Sequence, residues 1–451
     1  MTFLILLFYF FSTLSFSQTI LPEEYRLLSE YMKTKDENLG KYLLEKYPNA
    51  VFSEDLKLLL SENAYQRGDP ETARNYLKSI NADRLKPDLF DKYVQLWKAL
   101  DLDKKSALLS YPVLFRDFIG SVKLTESQAL QVADKLLKSR HYRDVIKVLS
   151  DVKDERACYY LGVSYFRIGD ESKAEEILSS CKDERSYKYL ALIYLKQNRE
   201  DSLREILLKV RDTNIRDNIL LIVGREYLQR KEYEKANEFF SLMTDSYDRF
   251  FHLGLIGFIQ KEYEKSLQHF IRAYYFARNE AESSKACFWA YRSYAMQGKE
   301  DLGLRYLVIA GKGEGFYSAV AKMASGEPLI SKGVRRVFSE GDTPVQAEVI
   351  KAIRSAGFYY YSRLEAFKRL KELSPTDIIA ISRFDPFLSI RLAVRKYGST
   401  SDVYKYVAFP LPYKQYVYRA SEVYGIAPEL IWAVMRQESL FDPFAVSVSG
   451  A

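Results

Sequence analysis

The chain is short of residues that break helices and of residues that hold metals. Its 451 residues include 20 glycines and 13 prolines, too few for the turn-dense pattern of a β-sandwich or barrel. The three cysteines, Cys158, Cys181 and Cys287, stand apart from the three histidines, His141, His252 and His269. None of them shows metal-ligand spacing, so no metal or other cofactor is called for. After the first segment no apolar run approaches the roughly 20 residues that a membrane-spanning helix needs. Charge of one sign is scarce too, with 67 basic residues against 60 acidic ones and a net charge of +7. The surplus is spread without any block of like charge, which argues against a nucleic-acid-binding helical repeat and at most modestly favours an anionic polymer.

What is present is large and apolar. Hydrophobic residues make up 47% and aromatic residues 15%, with 36 tyrosines and 27 phenylalanines. Many ring-bearing side chains and few breakers suit packed helices, so the expected class is all-α. The length is enough for two or three units at roughly 150 residues each.

The first 17 residues, MTFLILLFYFFSTLSFS, carry an apolar stretch that is too short to cross a bilayer and ends in a small-x-small site at Ser15 to Ser17. This reads as a signal peptide (1–17), although its start lacks Lys or Arg, and it implies export. In an exported chain an odd cysteine count leaves a free thiol. Cys158 and Cys181 fall near the start of one helix and the end of its partner, which leaves a bridge open. Burial as small hydrophobes is the simpler reading.

The middle of the chain repeats itself. RGDPETARNYL (67–77), SRHYRDVIKVL (139–149), IGDESKAEEIL (168–178), QNREDSLREIL (197–207), RKEYEKANEFF (230–240), QKEYEKSLQHF (260–270) and QGKEDLGLRYL (297–307) each join a polar turn to an amphipathic segment. Aligned on Ala73, Val145, Ala174, Leu203, Ala236, Ser266 and Gly303, the later intervals are 29, 29, 33, 30 and 37 residues. A helix, a turn and a second helix at this period resemble the tetratricopeptide repeat, whose hairpins stack into a superhelix. These repeats are assigned to 18–310. A glycine-richer stretch then opens a small helical linker module, 311–405.

The last segment, 406–451, holds the candidate chemistry. A helix is expected over 413–424, closed by Gly425, and a second from Pro428 to about Phe441, stopped by Asp442-Pro443. On that second helix Ile431, Val434, Met435 and Phe441 share a face with Glu438. Desolvation on such a face would raise a carboxyl pKa, as a general acid requires. The structural alternative is a helix-end glutamate paired with Arg436 or Arg419.

PELIWAVMRQESLFDPFAVSVSGA (428–451) resembles the first signature of the soluble lytic murein transglycosylases. Ala433, Arg436, Gln437, Glu438, Ser439, Asp442, Pro443, Ser449, Gly450 and Ala451 all fit it. FPLPYKQYV (409–417) is similar to the entry to that catalytic domain, and GFYSAVAKMASGEP (315–328) is similar to the family's linker motif. The resemblance implies a goose-lysozyme-like α domain that cleaves the β-1,4 bond from N-acetylmuramic acid to N-acetylglucosamine in peptidoglycan. It makes Glu438 the acid and base that yields a 1,6-anhydro end. Ser439 is then a substrate-binding candidate or a helix cap, while Arg436 and Gln437 orient the helix. It also implies a periplasmic protein acting on glycan strands, with envelope proteins as possible partners of the superhelix. Because the family pattern continues past Ala451 into the cleft, residues 1–451 alone are expected to be inactive. The competing reading is a periplasmic tetratricopeptide-type scaffold for envelope partners.

Overall fold

The computed structural model describes residues 21–313, 315–327, 344–399 and 401–446. Residues 1–17, where a signal peptide is expected, and Ser449 to Ala451 lie outside these. Among the described residues the regular structure is helical, with no strand. No described helix is long and apolar enough to cross a membrane.

The chain forms two compact units, Asp101–Leu329 on one hand and Met1–Leu100 with Ile330–Ala451 on the other. The middle unit stacks hairpins, and the physics of each hairpin is local. At all seven repeat turns the second motif residue takes a left-handed backbone: Gly68, Arg140, Gly169, Asn198, Lys231, Lys261 and Gly298, with φ from 55° to 89°. The next residue's N–H then reaches the carbonyl five residues back, as in Asp170 to Tyr165, Arg199 to Tyr194 and Glu262 to Gly257. That bond closes the first helix and swings the chain into the second. The first of the seven turns belongs to the other unit and uses the same device, from Asp69 to Ala64.

Close approach of the paired helices follows. Ala73, Val145, Ala174, Leu203, Ala236 and Ser266 are fully buried, and Gly303 is buried as well. A second small position deepens the contact. A Cβ at Gly162 would lie 2.5 Å from the Leu178 side chain, one at Gly224 2.6 Å from the Phe240 ring, and one at Gly254 2.7 Å from the Phe270 ring. Each glycine precedes its partner by 16 residues, so the repeat places a large side chain of one helix in the gap left on the other.

Cys158, in the first turn of Arg156–Ile168, is disulfide-bonded to Cys181, the C-cap of Glu171–Ser180, with Cα atoms 5.8 Å apart. The antiparallel hairpin brings its two ends together, and this pair therefore departs from the simpler reading of buried free thiols. Cys287 is free and buried, and burial pushes its thiol up to about 12.

In the other unit the first helices pack against residues far along the chain. Tyr25, Leu28, Tyr31, Phe52 and Leu56 share a core with Ile353, flanked by Phe358 and Tyr361. Two polar links, one buried and one partly buried, join the same elements. Tyr361 donates to Asp55 at 2.6 Å and Tyr25 donates to Glu365 at 3.3 Å. The helices Val345–Ser355, Tyr359–Lys368, Pro375–Ser382, Pro386–Tyr397 and Asp402–Val407 enclose a second core around Ile350, Ala366, Ile378 and Leu392.

Candidate active site

The last two described helices, α1 (Lys414–Tyr424) and α2 (Pro428–Ser439), carry the candidate chemistry. Gly425 closes α1 in the left-handed conformation at φ 66°, as its position implies. Pro428 stands in the first turn of α2, where its missing N–H has no helical partner to lose, and Glu429 lies beside it near the positive helix end. The helix ends at Ser439 rather than running to Phe441. Leu440 and Phe441 instead take two consecutive left-handed conformations, φ 51° and 67°. Side chains with a Cβ resist that region, an aromatic one in particular, so surrounding contacts must hold the elbow in place.

The expected apolar stripe divides in two. Trp432 and Phe441 are buried with Ile390 and Val417, and Ile431, Met435 and Leu440 pack against them. The Trp432 indole N–H donates to the Pro412 carbonyl at 2.8 Å, which satisfies the one polar atom of that ring. On the other side Leu430 and Val434 are more than half exposed, and Glu438 is exposed with them. These three recur every four residues and so share one face. Desolvation of Glu438 by its own helix, expected from periodicity, is therefore corrected. Phe441 leaves the helix and turns into the tryptophan cluster, and Val434 faces outward.

Among the described residues Glu438 makes no ion pair with Arg436 or Arg419. Arg436 is committed elsewhere. Its Nε donates to the Ala408 carbonyl at 2.8 Å, its Nη2 donates to the Tyr404 hydroxyl at 3.0 Å, and its guanidinium lies 4.7 Å from the Phe409 ring centre. These contacts tie α2 to residues 404–409. Ser439, half-buried, donates to the Met435 carbonyl at 3.2 Å, a bond within its own helix. Gln437 is exposed.

Just beyond the elbow, Asp442 accepts two hydrogen bonds from Arg363, at 2.8 and 3.1 Å. The same guanidinium donates to Asp385 at 2.8 and 3.1 Å, and Arg354 adds a further bond to Asp385 at 3.0 Å. Burial works to raise the Asp442 carboxyl, but the bonds from Arg363 and the Phe444 N–H outweigh it and hold the group below the ordinary aspartate value. The Tyr359 ring lies 3.9 Å from the Arg354 guanidinium and 4.6 Å from the Phe444 ring centre. Periodicity within α2 cannot reveal this cluster, since its partners lie about 80 residues upstream. One sequence signal does mark it: the tetrapeptide FDPF occurs at 384–387 and again at 441–444, and Arg363 binds the aspartate of both. Among the described residues no group of three or more His, Cys, Asp or Glu side chains stands together to hold a metal ion.

The described fold is all-α with tetratricopeptide-like hairpins, and residues 415–451 match the transglycosylase SLT domain family. The chain superposes on the 70 kDa soluble lytic transglycosylase of Escherichia coli with a TM-score of 0.56 at 15% identity, covering 95% of this chain and 73% of that one. A lytic transglycosylase Slt of Pseudomonas aeruginosa, solved as an inactive mutant, gives 0.50 at 15% identity, over 94% and 73%. An uncharacterized protein of Aquifex aeolicus (strain VF5) is 32% identical over 155 residues, which is 34% of this chain and 82% of that protein. The SLT family match is confined to residues 415–451, and the likeness to the two solved transglycosylases at 15% identity shows a shared fold.

Proposed function

We propose that this protein cleaves the β-1,4 bond between N-acetylmuramic acid and N-acetylglucosamine in peptidoglycan and leaves a 1,6-anhydro end. The observation that carries the reading is the position of Glu438 within the 415–451 match, on the exposed face of α2 with no competing partner among the described residues.

In this reading the Glu438 carboxylic acid donates its proton to the glycosidic oxygen as the C1–O bond breaks. The resulting carboxylate then accepts the proton of the muramyl C6 hydroxyl as that oxygen closes on C1. One group serves as acid and then as base, so no second catalytic carboxylate is needed, unlike the two-carboxylate arrangement of most glycosidases. Ser439 next to it is the candidate for hydrogen bonding to the reacting sugar, by release from the Met435 carbonyl. Arg436 keeps the helix in register through Ala408 and Tyr404. An anionic polymer outside the cytoplasm suits the export expected of residues 1–17, and the periplasm is the proposed site of action.

The test is release of 1,6-anhydromuropeptides from purified sacculi by the protein expressed from its native gene. Glu438→Gln should lower kcat by about 100- to 10,000-fold, the usual worth of a general acid and base, with folding unchanged because the side chain is exposed. Full activity in the variant would remove Glu438 from this role, and a wild type that releases no anhydro products would overturn the enzymatic reading.

A further inference from the structure

We infer that Arg363 is a positioning residue for the Glu438 helix, acting through Asp442 as a clamp between the two FDPF elbows. The inference rests on the function proposed above for Glu438.

In each of the two tetrapeptides the aspartate accepts from a backbone N–H just after it in the chain. Asp385 caps the helix Pro386–Tyr397 by accepting from the Leu388 N–H at 3.0 Å, with Pro386 in the first turn. Asp442 accepts from the Phe444 N–H at 3.2 Å, with Pro443 between them. Each leaves carboxylate oxygens for a second partner, and that partner is one guanidinium. Arg363 directs Nε and Nη2 to Asp385, and Nη1 and Nη2 to Asp442. Its side chain is 14% exposed, those of Asp385 and Asp442 2% and 12%, so this pairing is largely shielded from water. The planar guanidinium fork addressing carboxylates gives bonds of defined direction. The face of Arg363 packs on Phe387 of the first elbow, with ring centre and guanidinium 4.5 Å apart, and on Tyr359 at 4.6 Å. Tyr359 in turn carries Phe444 of the second elbow.

What this clamp holds is the strained exit of α2. Between Glu438 and Asp442 lie Leu440 and Phe441, both left-handed although neither is glycine. Such a backbone persists only where its surroundings over-determine it. Phe441 is buried on one side of the elbow, and Arg363 grips the residue after it. One anchor within the strained pair and a second directly after it leave the last turn of α2, with its glutamate, a single placement. Lysine could not replace Arg363, because a single ammonium lacks the planar fork that addresses two carboxylates.

The experiment uses protein expressed from its native gene, with Arg363→Lys, Asp442→Ala and the double variant compared with Glu438→Gln on sacculi. Asp442→Ala leaves the Arg363–Asp385–Arg354 pairing in place, so it is the variant best able to fold. Asp442→Asn, which still accepts from Phe444, is the substitute if it does not. Each single variant should lose about tenfold to a hundredfold in kcat, with KM moved less than about threefold, as a displaced catalytic group would. The double variant should lose no more than about twofold beyond the worse single one, since both changes break one link. Hydrogen exchange of the amides at 438–442 and 444 should rise in all three, and in Asp442→Ala that of 345–397 should stay near wild type. Wild-type kcat in Asp442→Ala, losses that multiply in the double variant, or a change confined to KM would each overturn the inference. If Glu438→Gln keeps full activity, it is the reading of Glu438 that fails, whatever the clamp variants do.

Discussion

At the scale of single residues, His252 shows how burial sets a charge state. Its ring is 8% exposed and stacks on Phe240 at 4.8 Å between ring centres. Arg225 donates to its Nε2 at 3.1 Å, and its Nδ1 lies 2.6 Å from the Asp248 carbonyl, so the neutral ring satisfies both neighbours. Desolvation, opposed by the Asp248 carbonyl and aided by the Arg225 charge, lowers the ring from its ordinary 6.5 to about 4. A histidine with a depressed folded pKa favours the folded state while neutral. Its contribution is present above pH 6.5 and is lost as the pH falls from there toward 4. At pH 5 the loss is about 2 kcal/mol, from 1.36 kcal/mol per pH unit over the interval below 6.5. The melting temperature of the wild type should accordingly fall more steeply between pH 7 and 5 than that of His252→Gln, whose side chain does not titrate. Parallel pH profiles for the two would show that His252 is not the group responsible. Glu438 is the opposite case, an exposed carboxyl in the last turn of its helix.

At the scale of the element, the repeat turn is the unit that the sequence specifies most fully. Seven turns share one backbone, yet the left-handed position is glycine in only three of them and Arg140, Asn198, Lys231 or Lys261 in the others. A side chain there costs about 1 kcal/mol relative to glycine, because its Cβ crowds the following carbonyl. Gly169→Ala should therefore destabilise the middle unit by about 1 kcal/mol, and Lys261→Gly should stabilise it by up to about 1 kcal/mol. Urea unfolding monitored by circular dichroism measures both, and opposite signs are the expected result. Two changes of the same sign would mean that the side chains, not the turn backbone, decide these positions. The period was legible because turn chemistry and small-residue spacing are local. The ends of α2 were legible only in part. Proline and glycine mark its start and the preceding cap, but its exit is set by Phe441 turning into a cluster with Ile390 and Val417, which no local pattern contains.

At the scale of the whole molecule, one unit is assembled from both ends of the described chain. Asp55 is buried and accepts from Tyr361 at 2.6 Å and from the Lys86 N–H at 2.9 Å. Burial raises its carboxyl above the ordinary aspartate value, with the Tyr361 bond working against that rise. Tyr361→Phe would leave the carboxylate with one bond fewer in a dry site, at a cost of about 1.5–3 kcal/mol. The sign with pH follows from the raised pKa. The strain of burying this charge is present at neutral pH and eases as acid protonates the group, so the destabilisation should be larger at pH 7 than at pH 4. Denaturant unfolding of wild type and variant at the two pH values checks this. An equal penalty at both would mean that the loss is one of packing alone.

The sequence by itself determined the helical class, the repeat period and the turn positions. Each of these rests on residues within a few turns of one another, where spacing and backbone preference act directly. Only the tertiary structure decided that Cys158 and Cys181 are joined, that the first helices share a core with Ile353, and that Arg363 grips Asp442. It also decided that Glu438 stands on the exposed face of its helix and not on the buried one. Those outcomes depend on which distant surfaces meet, and burial among partners tens to hundreds of residues away leaves little trace in a local pattern.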